Sequence, residues 1–408
     1  MFGIAVSPVG QVCWETALTQ PAPDTHSYST PLVSDGSAIF DSDGDVFAVN
    51  LSDGRVKWEW KSGSPITDGG DLGGNQIIAV ADGVVVTTKI VQDRRFVVGL
   101  DDRTGTIRWE RQEPTQIGEG PYDSGNGSII FTSYQGTVVE VIDDSSGSVL
   151  WSGSEPSPPS GPLVSMSPLN PLSLPGVLVV ASPSGGVDAV DAMTGKVEWH
   201  YGGSFHGMTT AGGVLLLSEL HLGAGPITQS TVAVDPKDGR TLWSSPPSRG
   251  GPIFYTSAGD ALIEQDESPA TLSRIEPATG SVIWGSPGQS WAEAASGDVV
   301  ADVETNGSPD GTGYIVGHNV ATGVSLWKTP VGDSNPVDAQ LFSLTSPTGA
   351  VFVVETGTRH QLIGYDARTG AQKWDVELPS DATTDGTTVA SDGLVVQLSG
   401  TQYAIQGH

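Results

Sequence analysis

The hydrophobic pattern along the chain is short-ranged and repetitive. Period-two alternation in VDAV (187–190) and LIGY (362–365) marks half-buried strands. Each leads through a polar turn into a second short strand that ends in tryptophan, giving VDAVDAMTGKVEW (187–199) and LIGYDARTGAQKW (362–374). Continuous β-rich runs precede these hairpins, as in PGVLVVAS (175–182) and DGLVVQLSG (392–400). Ahead of those stand Gly/Ser-rich runs such as SGPLVSMSP (160–168) and GPIFYTSAG (251–259). The pattern predicts units of four short antiparallel strands, with almost no helical period.

The unit recurs nine times. Trp14, Trp58, Trp109, Trp151, Trp199, Trp243, Trp284, Trp327 and Trp374 follow one another at intervals of 41 to 51 residues. Each has glycine four positions earlier: Gly10, Gly54, Gly105, Gly147, Gly195, Gly239, Gly280, Gly323 and Gly370. Four residues before the glycine stands an acid or amide: Asn50, Asp101, Asp143, Asp191, Asp235, Glu276, Asn319 and Asp366, with Val6 as the exception in the first copy. Two positions earlier a small residue is usual (Ala48, Gly99, Ala189, Ala233, Gly317, Gly364), and Arg274 departs from it. A short acceptor side chain at the turn start can bond the backbone ahead, and glycine supplies positive φ at the turn end. The Trp ring is then expected to bury against a neighbouring unit. A lone four-stranded sheet exposes both faces, whereas stacking such sheets in a ring buries them, so the repeat predicts a β-propeller.

The pattern A-x-D-x-x-T-G-x-x-x-W resembles the tryptophan-docking repeat of pyrroloquinoline-quinone (PQQ)-like propellers. Ala189, Asp191, Thr194, Gly195 and Trp199 match it fully; Asp101, Thr104, Gly105 and Trp109 match with Gly99 in the alanine place, and Asp366, Thr369, Gly370 and Trp374 match similarly. The resemblance implies that each Trp stacks on the turn peptide of the next blade. It covers essentially the whole chain. WD40 and kelch repeats fit less well, because a single Trp-Asp pair (Trp374–Asp375) occurs and Gly-Gly doublets such as Gly212–Gly213 keep no fixed phase.

The fold expected is all-β: one closed propeller over residues 1–408 with nine blades by motif count, eight being the alternative. After Trp374 three strands remain, in GTTVAS (386–391), GLVVQLSG (393–400) and TQYAIQ (401–406). Residues 1–20, through QVCWET (11–16), are expected to supply the missing outer strand and close the ring. SGSEPSPPSGP (152–162) and SPLNPLSLPG (167–176) read as a long loop within one blade, and QDRR (92–95) and LHLGAGPITQS (220–230) read as surface insertions. MFGIAVSPVG aligns with a repeat hairpin rather than a signal peptide, which suggests part of a longer, membrane-tethered protein.

Charge narrows the partners. Eighteen Lys and Arg stand against 47 Asp and Glu, a formal net charge of −29 over 408 residues. That balance argues against nucleic acid and anionic lipid, which bind through cations. The single cysteine, Cys13, excludes an internal disulfide and a Cys-rich zinc site. No apolar run reaches the ~18 residues of a membrane helix.

Candidate chemistry is sparse, and no catalytic residue is assigned. No G-x-S-x-G elbow, P-loop or His-metal spacing occurs among the motifs. Asp41-Ser-Asp43-Gly-Asp45 resembles the start of a calcium loop but lacks the distal Glu, Ser52 standing there; the alternative is a hairpin turn. Loops leading into the innermost strands would converge on the channel mouth. They carry Asp68, Glu119, Tyr122, Asp123, His206, Tyr255, Trp291, Glu293, Asp338 and Asp381, an aromatic and carboxylate rim suited to a peptide, sugar or cationic ligand. Trp60 and Trp291 fall outside the repeat phase. The resemblance also brings in quinoprotein dehydrogenases, with PQQ and calcium on the axis, but one cysteine cannot form their adjacent-cysteine disulfide. The expected function is a monomeric, non-enzymatic binding or scaffold propeller at the cell surface, periplasm or outside the cell. It is similar to the propeller lipoproteins of outer-membrane barrel assembly and would take no cofactor. The alternative is a PQQ- or metal-dependent oxidoreductase.

Overall fold

A computed structural model of the chain describes residues 11–17, 32–42, 45–62, 77–81, 83–92, 94–113, 121–132, 138–153, 171–174, 176–182, 184–221, 228–246, 253–258, 261–267, 270–287, 290–305, 313–330, 340–346, 349–356, 361–377, 384–390, 393–398 and 401–406. These residues form strands and turns, with no α-helix among them. The strands assemble into nine four-stranded antiparallel sheets, each a blade of a β-propeller. Blades 1 to 8 span residues 32–60, 77–112, 122–152, 172–201, 205–244, 253–287, 290–330 and 340–377. Blade 9 combines strands within 384–406 with Gln11–Ala17, which pairs antiparallel with Thr401–Gln406.

In the first eight blades the four strands lie side by side in sequence order. First strands touch between blades 1 and 2, 2 and 3, 5 and 6, 6 and 7, 7 and 8, and 9 and 1. Leu32–Ser34 touches both Ile77–Ala81 of blade 2 and Thr384–Ala390 of blade 9, so the first and last blades are neighbours. The first strand is therefore the inner one and the fourth the outer one. Second strands are buried on both faces, as in Ser128–Thr132, where all five residues are buried. That double burial explains why they read as continuous apolar runs rather than alternating ones.

The core is divided into layers between blades. Ile39, Trp58 and Trp60 of blade 1 pack with Val85, Val98 and Leu100 of blade 2. Ala79 and Val97 of blade 2 pack with Ile129 and Phe131 of blade 3, and the same arrangement continues to Ile315 of blade 7 against Ile363 and Tyr365 of blade 8. Trp60, out of phase with the repeat, is one of these interblade residues at 8 % exposure.

The turn of each unit is built locally. Oδ1 of Asp191 accepts hydrogen bonds from the Met193 and Thr194 amides (3.1 and 2.7 Å) and from Thr194 Oγ1 (2.7 Å), while the Gly195 amide donates to the Asp191 carbonyl (2.8 Å). Asp101, Asn319 and Asp366 repeat the arrangement. In the following strand each Trp sits at a bulge, opposite the small position noted in the sequence: Trp58 faces Ala48, Trp109 Gly99, Trp199 Ala189 and Trp374 Gly364. Trp14 faces Ala404 at the same kind of bulge, so Gln11–Ala17 occupies the fourth-strand register of blade 9.

Across the blade boundary each indole meets the next blade's turn. Trp58 Nε1 donates to the Asp102 carbonyl at 2.8 Å, and Trp109, Trp151, Trp199, Trp243, Trp284 and Trp327 donate to the carbonyls of Asp144, Ala192, Pro236, Pro277, Val320 and Ala367 at 2.8–3.1 Å. The equivalent carbonyl for Trp374 would follow Gln406, the end of the third strand of blade 9, outside the described residues.

One expectation fails in blade 4. The run 160–168 lies outside the described residues, and the first strand of that blade is Leu172–Leu174, inside the stretch read as loop. Three residues between Pro171 and Pro175 are too few to show a period.

Candidate functional site

Every inner strand comes just before the second strand of its blade in chain order and pairs antiparallel with it, so the starts of these strands lie at the same end of their sheets. Tyr122 and Asp123 form the short first strand of blade 3; His206, Tyr255, Trp291 and Glu293 lie near the starts of the first strands of blades 5, 6 and 7. The strands of blades 5, 6 and 7 are successive neighbours, which brings His206, Tyr255, Trp291 and Glu293 onto one sector. Asp68, Glu119, Asp338 and Asp381 lie outside the described residues.

The register adds acids that sequence reading missed. Opposite the first residue of the inner strand stands Glu219 in blade 5 (facing Phe205), Asp266 in blade 6 (Ile253), Glu304 in blade 7 (Ser290) and Glu355 in blade 8 (Gln340). Counted from the second-strand residue that faces the turn acid of the third strand, Glu219, Asp266 and Glu304 share one register in blades 5 to 7, and Glu355 of blade 8 lies one residue nearer the turn. At that register stand Ser42, Lys89, Ser182, Thr356 and Leu398 in blades 1, 2, 4, 8 and 9. The available signal was an acid near the end of each second-strand run (SELH, IEQDE, ADVET, VVET), but bulges in the inner strands of blades 5 and 7 hide the alignment.

The cations are distributed the other way. Half of the eighteen Lys and Arg lie between Arg55 and Arg111, in blades 1 and 2, and most are paired there. Arg108 bonds Asp101 (2.7 Å) and holds that carboxyl down at about 2. Arg111 reaches from blade 2 to Glu140 of blade 3, while burial raises the Glu140 pKa against that pairing. None of the nine inner strands contains Lys or Arg.

Two titratable groups stand out. His206 is half-buried, and burial lowers its imidazole pKa against a hydrogen bond with the Ser218 backbone. Glu113, beyond the outer strand of blade 2, is 7 % exposed with Arg95 Nε 3.8 Å away. Burial pushes its carboxyl from the usual 4.5 up to about 7, Arg95 opposing. Because the folded pKa is the higher one, folding takes up a proton between these values. Stability is expected to fall by about 3 kcal/mol as pH rises from 4.5 through 7, and Glu113→Gln should flatten that slope in urea titrations at each pH. An unchanged slope would show that the carboxyl titrates normally.

Asp41-Ser-Asp43-Gly-Asp45 spans a hairpin: Ser42 pairs with Asp45 across a two-residue connection. Asp45 Oδ1 accepts from the Ser62 amide at 3.1 Å, and Asp43 is outside the described residues. Among the described residues no group of three or more His, Cys, Asp or Glu is placed to hold a metal ion. His318 and Asp302, 3.2 Å apart, form a buried pair within blade 7. PQQ is a tricarboxylate, and inner strands without Lys or Arg that carry Asp123 and Glu293 do not fit it.

A family profile described as outer membrane protein assembly factor BamB matches residues 60–212 and 228–407. Among solved structures, BamB from Moraxella catarrhalis is 18 % identical over 98 % of each chain, with a TM-score of 0.49. Quinohemoprotein alcohol dehydrogenase from Comamonas testosteroni is 12 % identical over 98 % of this chain and 77 % of its own, with a TM-score of 0.47. The computationally designed Ika8 protein is 14 % identical over 86 % of this chain and 96 % of its own, with a TM-score of 0.45. A search of curated protein sequences found no match.

Proposed function

We propose, since this chain belongs to the family described as outer membrane protein assembly factor BamB, that it is a non-enzymatic, extracytoplasmic scaffold whose axial mouth holds a basic segment of a partner protein. The whole chain acts as one propeller unit in this reading. The observation that carries it is the run of carboxylate positions Glu219, Asp266 and Glu304 at one register of blades 5 to 7, with Glu355 one residue away in blade 8, beside cation-free inner strands. Acids aligned at one mouth favour Lys- or Arg-bearing partners and speed their arrival, an effect that salt screens over ~10 Å. Tyr122, half-buried at the start of the blade 3 inner strand, adds an aromatic ring of the kind enriched in interface centres. A quinone enzyme would need a cation cradle for its cofactor, which the inner strands do not supply.

The test is capture of partners from an envelope extract at low and high salt, with identification by mass spectrometry. A captured protein is expected to bind through a basic segment and to be lost from Glu219→Gln/Glu304→Gln/Glu355→Gln, while Glu59→Gln on the opposite sector leaves capture intact. Equal capture by both variants overturns the axial reading. Stoichiometric uptake of added PQQ and calcium, with dye reduction by alcohols or sugars, overturns the non-enzymatic one.

A further inference from the structure

Between blades 4 and 5, away from the axial mouth, lies a cavity of about 350 Å³. Leu174, Val177, Ala211 and Pro236 give it apolar walls, and Thr210 and Lys237 are its polar groups. The volume falls within the range of small-molecule sites, ~300–1,000 Å³.

The junction between blades 1 and 2 shows what normally closes this space. There Ser34, the last residue of the inner strand, donates through Oγ to Asp102 Oδ2 at 2.8 Å. The next residue, Asp35, receives Arg103 Nε at 3.2 Å. Each partner has a counterpart at the junction of blades 4 and 5. Leu174 ends the inner strand as Ser34 does, and Pro236 presents its carbonyl to Trp199 as Asp102 does to Trp58. Lys237 follows Pro236 as Arg103 follows Asp102, and in the sequence the residue after Leu174 is a proline where the residue after Ser34 is an aspartate. The hydrogen bond is therefore replaced by two apolar residues, and the cation keeps its place without its carboxylate. Lys237 is exposed, and its ammonium has no ion-pair or hydrogen-bond partner among the described residues.

We propose that this cavity binds a small carboxylate carried on a compact apolar body, with Lys237 holding the charge that Asp35 supplies to Arg103 in the first junction. The apolar walls receive the hydrocarbon part, and Thr210 offers a hydroxyl in the same lining. Free carboxylic acids and the C-terminus of a peptide ending in Leu share this chemistry.

The test uses octanoate, octanamide and an N-acetylated Gly-Leu-Leu peptide, followed by calorimetry and by the fluorescence of Trp199, whose indole bonds the Pro236 carbonyl at the cavity wall. One octanoate or one peptide is expected to bind per chain, about tenfold more tightly than octanamide, as one charge-assisted contact implies. Octanoate alone binding identifies a free acid as the source, and peptide binding identifies a C-terminus. Lys237→Met should weaken binding about tenfold with the melting temperature retained, because Lys237 lies on the surface. Leu174→Asp, which sets a carboxylate among the same lining residues as Lys237, should abolish binding by opposing a bound anion. The acid-to-amide variants at the mouth should bind as wild type, which separates this site from the proposed scaffold surface. Equal affinity for octanamide, binding indifferent to Lys237→Met and Leu174→Asp, or no binding of either carboxylate overturns the proposal.

Discussion

Trp58→Ala is expected to destabilise the protein by about 3–5 kcal/mol in urea denaturation, the cost of emptying a buried aromatic site. The indole is 7 % exposed and belongs to the layer shared by blades 1 and 2. Truncation removes that packing and also leaves the Asp102 carbonyl without its N–H partner. Trp58→Phe keeps most of the ring and loses the hydrogen bond, so a much smaller loss of about 1 kcal/mol is expected. A loss below 1 kcal/mol for Trp58→Ala would mean that the indoles are not what holds adjacent blades together. The logic is that of repeat proteins, in which each unit is stabilised by its neighbours and a single interface term counts heavily.

The second large effect concerns Gly105, and it separates neighbours in sequence from neighbours in space. Gly105 stands four residues before Trp109, yet a Cβ there would lie 2.7 Å from Cε3 and 2.8 Å from Cδ2 of Trp58. Its φ of +68° is a second reason for glycine. Gly105→Ala is expected to cost about 2–5 kcal/mol, combining left-handed strain with displacement of the Trp58 ring. In a Trp58→Ala background only the backbone strain should remain, about 1–2 kcal/mol. In a Trp109→Ala background the full cost should persist, because Trp109 lies against Gly147 instead. Denaturant titration of these two double-mutant cycles decides the matter. Coupling of Gly105 to Trp109 rather than to Trp58 would refute the interblade geometry.

Much of the fold was legible because its signals are short-ranged. Asp191 and Thr194 close their turn within a few residues, so the motif D-x-x-T-G records a local structure. The motif count pointed to nine blades with eight left open, and the structure decides for nine sheets: one Trp marks each fourth strand, and Trp14 completes the ninth sheet from the other end of the chain. The inner strand of blade 4 was not legible, since three residues between prolines leave no pattern to read. The candidate site was legible only as loop positions leading to the axis. The acids facing Phe205, Ile253, Ser290 and Gln340 required knowledge of strand pairing, and bulges shift that pairing by one residue in some blades and not in others.

The amino-acid sequence alone determined the unit and the direction of its strands, because backbone hydrogen bonding and the alternation of buried positions act over a few residues. Tertiary structure decided what each unit touches. The indole of Trp58 finds a carbonyl 44 residues away, and nothing in the spacing of Trp and Gly says that the pair in the motif is split between two blades. The same holds for the two junctions compared above: Ser34 and Asp102 close one, while Leu174 and Pro236 leave the other open with Lys237 at its edge. Contacts between blades join residues that the chain keeps tens of positions apart, so their identity depends on how successive sheets are stacked and not on any local preference.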